Sequence, residues 1–371
     1  MQAMGIIFSN IYDNHMGDLT GHRTSAAIPF GGRYRQVDFA LSNMSNASIK
    51  HIAIVTKYNY ESLMNHLGSC AEWDLSLDYK GVVLLPPYAT GNTGVYRGKL
   101  EALYTALPVM EDATQEYVVL SDTSVLGPVD YRKAIDDHIK SGCDITVICK
   151  EGECDGEKIH SLSIRTDEDG KPMEMAVDFA APKEYAASTG MFIIARKLLM
   201  DIVRSTAPYG KYHLERDFIL AEFNRGTISV NVFRQEGIAL FNESIQEYYE
   251  NSMALLDPKV RHGLFHTDIP IYTKPRNEVP TFYSEDSDIT DCIVADGCLL
   301  SGTCKKSILF REVTLEKDCR VQDSIIMQGS RVGEGAELQY VILDKDVTVK
   351  PHTKLVGSAT HPLYIKKGAT V

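Results

Sequence analysis

AAIPFGGRYRQVDFALSNMSN, residues 26–46, is the stretch that decides the fold. Its Pro-Phe-Gly-Gly turn leads into two arginines and then an apolar rhythm of helical spacing over 37–48. Upstream lies a short apolar run, GIIF at 5–8, and downstream another, IAIVT at 52–56. The pattern continues with YVVL at 117–120 and ITVIC at 145–149, with helical stretches at 60–67, 97–110 and 131–141. Strands alternating with helices predict a Rossmann-like, mainly parallel mixed sheet wrapped by helices. Such a sheet takes ligands beyond the carboxyl ends of its strands, so the loops after Phe8 and Leu120 are where chemistry is sought.

After a helical stretch at 244–256 the chain changes character. IYTKPRNEVPTFY, residues 271–283, reads as an extended linker. Beyond it apolar residues recur every six positions: Cys292, Cys298 and Cys304, then Val313, Cys319 and Ile325, then Val341, Val347 and Thr353. A hexad repeat of this kind marks a parallel β-helix, with an ordinary antiparallel β domain as the other reading. The even cysteine spacing is explained by small apolar side chains stacked inside a narrow coil rather than by a metal ladder. The expected organisation is a first domain at 1–256, a linker at 257–286 and a β-helix at 287–371.

The 371 residues carry a formal net charge of -12, which argues against a nucleic-acid binder but leaves room for a small anion held by local arginines. No apolar run reaches the roughly 18 residues of a membrane span. MQAMGIIFSN at the start has no basic segment or cleavage site of a signal peptide. Eight cysteines without a C-x-x-C pair suit a reducing cytoplasm.

On PFGG-R-Y-R-x-x-D-F-x-L-S-N, Tyr96-Arg97-Gly98, ASTG at 187–190, IYTKPRNEVP and SIQEYYENSMALL at 244–256, the chain resembles the glucose-1-phosphate adenylyltransferases (ADP-glucose pyrophosphorylases) along nearly its whole length. The resemblance implies an α/β nucleotidyltransferase domain followed by a left-handed parallel β-helix of roughly four coils. It also implies a catalytic loop, L-A-G-G-x-G-x-R-L followed by A-K-P, which wraps nucleotide phosphates with backbone N–H groups. Counting back from PFGG, the three glycines become Asn10, Ile11 and Asp13, the arginine becomes His15, and the lysine becomes Ser25. A Cβ at Ile11 obstructs the close approach that glycine permits, and Asp13 repels a triphosphate.

The family's two Mg²⁺ carboxylates align with Asp122 and with Phe241 or, after a one-residue shift, Asn242. One carboxylate is therefore missing, so Mg²⁺ is expected only if a remnant site at Asp122 works; otherwise Asp122 reads as a cap after its strand. Ala181 stands where the family has its sugar-phosphate lysine, and Gly98-Lys99-Leu100-Glu101-Ala102 replaces G-T-A-D-A. His213, Glu215, Arg216 and Asp217 fall where the family has D-F-G-K-D, and structural pairing is the expected role there. Arg33, Arg35, Tyr96, Arg97, Ser188 and Gly190 are remnant substrate or effector contacts on the resemblance. Lys350, His352, Lys354, Lys366 and Lys367 make the far end locally basic.

FSNIYDNHMGDLT in place of the glycine loop is similar to the GlgD-type companion chains of this family. The resemblance then implies a non-catalytic or weakly active subunit that forms a heterotetramer with a catalytic subunit, takes a small phosphorylated effector, and supports ADP-glucose synthesis for glycogen. Two other readings stand beside it: an active nucleotidyltransferase with a rearranged site, and a sensor that binds sugar phosphates or nucleotides without reacting.

Overall fold

The computed structural model describes residues 2–10, 13–75, 81–87, 96–154, 156–206 and 209–371. The Gly-Gly turn of the opening stretch is a tight hairpin: Pro29–Phe30 pairs antiparallel with Tyr34–Arg35, and Gly31 and Gly32 both take positive φ, +57° and +82°. L-residues with a Cβ rarely adopt that conformation, which is why the turn needs glycine. The helix Gln36–Asn46 follows, and its Asp38 carboxylate accepts the Arg35 backbone N–H at 2.9 Å.

The expected strands are present as Ala3–Phe8, Ile52–Val55, Tyr117–Asp122 and Ile145–Lys150, with helices Glu61–Leu67, Lys99–Asp112 and Tyr131–Ser141 between them. Ala3–Phe8 lies between Ile52–Val55 and Tyr117–Asp122, parallel to both. Phe8 is paired with Asp122, so the loops after these two strands leave the sheet side by side. The sequence reading missed the long strand Tyr185–Ala195, antiparallel to both Tyr117–Asp122 and Ile145–Lys150. The small polar residues Ser188 and Thr189 break its apolar run. The register shifts there as a bulge, with Gly190 at φ +70°. Apolar side chains cover both faces of the sheet, Leu103, Val147 and Phe192 in one cluster, Ile7, Leu41 and Trp73 in the other.

The C-terminal part is a left-handed parallel β-helix of three five-stranded sheets. Leu300, Leu315, Val332 and Val349 stack along one face, Cys304, Val321 and Leu338 along the second, Ile308, Ile325 and Ile342 along the third. Cys298, Cys304 and Cys319 are buried in its core, and all eight cysteines are free. The coil begins at Phe282 and completes five turns rather than four. Thr314 pairs with Arg331 and Arg331 with Thr348, a step of 17 residues and not three full hexads. Corners are cut short by left-handed polar residues such as Asp318 (φ 57°), Asp346 (φ 60°) and His352 (φ 58°).

The linker is not wholly extended. It opens with the helix Pro258–Phe265, started by proline in the first turn and by the Asp257 side chain, which accepts the Lys259 N–H at 2.8 Å. The two domains share one apolar core, in which Phe30, Phe39, Tyr248 and Leu255 meet Ile308, Phe310, Ile325 and Ile342. A buried ion pair, Arg23 Nη2 to Asp344 Oδ1 at 2.7 Å, crosses the same junction. Among the described residues no helix is long and apolar enough to cross a membrane.

Candidate functional site

The loop after the first strand satisfies itself. The Asn10 amide donates to the Asp13 carboxylate, and the Asn10 carbonyl accepts from Ser9 Oγ at 2.7 Å and from the Lys57 backbone at 2.9 Å. Asp13 Oδ1 accepts the Ser25 N–H at 2.8 Å, while Ser25 Oγ donates to the Ser9 carbonyl at 2.9 Å. Burial pushes the Asp13 carboxyl above its usual range, against the pull of its bonds to Asn10 and Ser25 and of Lys57. Asn10, Asp13 and Ser25 are all buried, whereas His15 is exposed. The Asp13 carboxylate is thus turned inward and committed to the Ser25 N–H and the Asn10 amide, at a position where the family has a glycine. Ile11 lies outside the described residues. Asp13→Ala is expected to lower stability by roughly 1–3 kcal/mol, because the Ser25 N–H and Asn10 amide lose their buried acceptor; urea unfolding measures it.

At the carboxyl ends of the central strands stands a second cluster. Lys99 Nζ donates to Asp122 Oδ2 at 2.7 Å and to Glu215 Oε1 at 2.5 Å. The Lys99 ammonium also lies 5.8 Å from the Phe8 ring centroid and 5.2 Å from that of Phe192. Three distant segments meet here. Lys99 is the first residue of its helix, where the helix dipole disfavours a cation. The helix start is docked by the Leu100 N–H bonding the Tyr212 carbonyl at 2.9 Å. Gly98 permits that docking, since a Cβ there would collide with the Tyr212 carbonyl oxygen. Glu215 sits on a π-helical turn, Leu214–Leu220, while Asp217 anchors the turn by accepting the Tyr212 and His213 N–H groups at 2.8 and 2.9 Å.

Burial pulls the Lys99 ammonium toward losing its proton, but Asp122 and Glu215 outweigh it and hold the group protonated. Burial pushes Asp122 up to about 6; Lys99 opposes that rise and Glu215 adds to it. Asp122 is therefore no cap for the turn after its strand, as the sequence suggested, but the anchor of a lysine. Gly190 closes the cluster from the other side, for a Cβ there would collide with Asp122 Oδ2. Ser188 Oγ accepts the Gly190 N–H at 3.1 Å, which shapes the bulge and faces no open site.

The position expected for a second metal carboxylate is brought close: Asn242 N–H donates to the Ser124 carbonyl at 2.8 Å, two residues beyond Asp122. Yet Phe241 is apolar and packs on His160 at 5.0 Å, and the Asn242 side chain accepts from Asn251 at 2.7 Å. Asp122 Oδ1 is buried without a side-chain partner, but its other oxygen is taken by an ammonium. This donor set does not fit a divalent ion: a cation already stands on the carboxylate, and the position expected to supply the second carboxylate is apolar or neutral. Among the described residues no group of three or more His, Cys, Asp or Glu is arranged to hold a metal. Ala181 is fully buried in the apolar core, so no cation reaches out from that position.

The remaining contacts part company. Tyr96 is buried with the Lys57 ammonium 4.9 Å above its ring. Arg97 is exposed and held by Glu101 at 2.9 Å and by the Tyr212 ring at 3.4 Å. Arg33 and Arg35 instead line a cleft where the hairpin, the linker and the β-helix meet, together with Arg276, Arg311, Lys345 and His66. Among the described residues no Asp or Glu lines it, in a chain of net charge -12. Burial first, then Arg35, Arg23 and Arg276, press Lys345 down to about 7. Burial and the neighbouring Arg276 and Arg33 lower Arg311, whose Nε is buried without a partner. Such crowding of cations, with a donor left over, suits an anion. The sequence reading missed Arg276, Arg311 and Lys345; KPR in the linker was its only signal. The locally basic far C-terminus is a solvated face, where Lys354 and Lys366 are exposed and paired with Glu337 and Asp18 at 3.0 and 3.2 Å.

Comparison with known proteins adds the last observation. The nucleotidyl transferase family matches residues 14–236, and the GlmU-like C-terminal hexapeptide family matches residues 278–361. Over 367 residues the chain is 31% identical to the glycogen biosynthesis protein GlgD of Bacillus subtilis (strain 168), covering 99% of this chain and 96% of that one. It is 28% identical over 344 residues to the glucose-1-phosphate adenylyltransferases of Bacillus thuringiensis subsp. konkukian and Bacillus anthracis, covering 92% of this chain and 91% of each of those.

Proposed function

Since this chain belongs to the glucose-1-phosphate adenylyltransferase family of nucleotidyltransferases, we propose that it is the subunit that does not itself catalyse transfer and supports a catalytic partner in making ADP-glucose from ATP and glucose 1-phosphate. Its membership of that family and its likeness to GlgD support a role in glycogen biosynthesis. The observation that carries the proposal is the closed centre. The loop that would wrap phosphates is bonded to itself through Asn10, Asp13 and Ser25, and Lys99 stands on Asp122. Stabilising a transferring phosphoryl group requires N–H donors and cations aimed at it; here a buried carboxylate, Asp13, stands among the phosphate-loop positions, and the Lys99 ammonium is committed to Asp122 and Glu215. The cation cleft of Arg33, Arg35, Arg276, Arg311 and Lys345 is the place where a small phosphorylated effector docks. It spans both domains, so an anion bound there bears on how they are held together.

The test is co-expression with the catalytic glucose-1-phosphate adenylyltransferase of the same organism. The mixture is expected to elute as a larger particle, a heterotetramer in the proposed arrangement, and to make ADP-glucose faster than the partner alone. Separate elution with an unchanged rate rejects the proposal. So does ADP-glucose synthesis by this chain alone that Asp122→Asn abolishes, which is the signature of a rearranged active site.

A further inference from the structure

We infer that the Lys99 ammonium is a built-in cation: it permanently fills the cation position between Asp122 and Glu215, keeps divalent ions out, and leaves behind a divalent-cation site when it is removed. This stands whether or not the chain assembles with a catalytic partner.

The geometry is that of a cation site already filled. One Nζ is bonded to two carboxylates from two segments, at 2.7 and 2.5 Å, and these groups are almost wholly buried. The ammonium lies within 6 Å of the Phe8 and Phe192 rings, whose faces favour positive charge. Asp122 keeps one buried oxygen without a side-chain partner, an acceptor left over after the lysine is satisfied. Gly190 approaches so closely that a side chain at that position would collide with Asp122 Oδ2. A helix-start lysine, against the local dipole, is held only by what it reaches.

Removing the ammonium leaves two carboxyl groups facing each other in a dry pocket. Like charges there repel and are poorly solvated, so the pocket then favours any small cation that can enter with its water. A dication brings oxygen-ligand chemistry that Asp122 and Glu215 supply. The wild-type pocket denies it, because an incoming ion would sit against a fixed positive charge at contact distance.

The experiment is Mn²⁺ titration of the full chain followed by EPR, with thermal unfolding alongside, on wild type, Lys99→Met and Lys99→Met/Asp122→Asn. Wild type is expected to leave the free Mn²⁺ signal unchanged and to melt at the same temperature with Mn²⁺ or EDTA. Lys99→Met is expected to melt lower in EDTA, to remove about one equivalent of Mn²⁺ from solution, and to regain thermal stability as Mn²⁺ is added. The double variant is expected to lose that binding. Should Lys99→Met not fold without metal, it is refolded with and without Mn²⁺, and recovery only with Mn²⁺ supports the inference. Mn²⁺ binding by wild type that Asp122→Asn abolishes overturns it. So does a folded Lys99→Met that takes up no Mn²⁺, or an unfolded one that Mn²⁺ does not recover. These readouts are independent of ADP-glucose synthesis, so a failure here is distinguishable from a failure of the partner role.

Discussion

Arg23→Ala is expected to destabilise the protein by ~3–5 kcal/mol, the loss typical of breaking a buried ion pair from one side. Arg23 and Asp344 are both buried, 3% and 1% exposed at the side chain, and they join the N-terminal domain to the β-helix. Asp344 also accepts the Tyr364 hydroxyl at 2.6 Å and the Lys345 N–H at 2.7 Å. Those bonds remain after the substitution, but the ion-pair partner does not, and a carboxylate left with only Lys345 nearby in a buried junction is what costs the stability. Arg23→Met combined with Asp344→Leu is expected to recover most of the loss, since the pair must be desolvated before it attracts. Chemical unfolding followed by two probes measures both effects. The single tryptophan, Trp73, is fully buried and reports on the first domain, while far-ultraviolet circular dichroism reports on both. If the pair couples the domains, Arg23→Ala separates the two curves; curves that stay together within ~0.5 kcal/mol of wild type refute the assignment.

Sulfate, whose charge does not change between pH 6 and 9, is expected to bind in the cleft around Lys345 and to bind at least about tenfold more weakly at pH 9 than at pH 6. Lys345 sits near 7 without a ligand because burial and the surrounding arginines disfavour its charge. A bound anion favours the ammonium and raises that value, so binding takes up a proton near and above pH 7. The sign follows: affinity is highest where Lys345 is already charged, and it falls as the pH climbs through 7 toward the liganded value. Each unit by which the ligand raises Lys345 is worth about 1.36 kcal/mol, or tenfold. Without ligand the linkage runs the other way in stability. Between about 7 and the ordinary lysine range the unfolded chain holds the proton that the folded one lacks, so this group adds stability as pH rises across that window. Calorimetry in buffers of different ionisation heat reads the proton uptake directly. Arg311→Glu is expected to abolish binding, and Lys345→Met to remove the pH dependence while leaving weaker binding. Affinity flat from pH 6 to 9 in wild type rules out Lys345 as a contact.

Taken by itself, the sequence determined the architecture. Residues 5–8, 52–56, 117–120 and 145–149 carry strand patterns because burial on both faces demands unbroken apolar runs, and the hexads mark a coil because each face must turn one small apolar residue inward. Losses were legible too, since a missing glycine or lysine can be read position by position: Asn10 and Asp13 for glycine, Ser25 and Ala181 for lysine, Phe241 or Asn242 for a carboxylate. What took their place was decided by tertiary structure alone. Lys99, Asp122 and Glu215 lie on a helix start, a strand end and a π-turn, and their spacing in the chain says nothing about a shared ammonium. Arg35, Arg276, Arg311 and Lys345 come from a hairpin, a linker and two coils, and only the docking of the domains makes one cleft of them. Periodicity records local burial, which neighbours in sequence share. Charge pairing records where distant backbones come to rest, and in this chain it turned Asp122 from a turn cap into the anchor of a buried lysine.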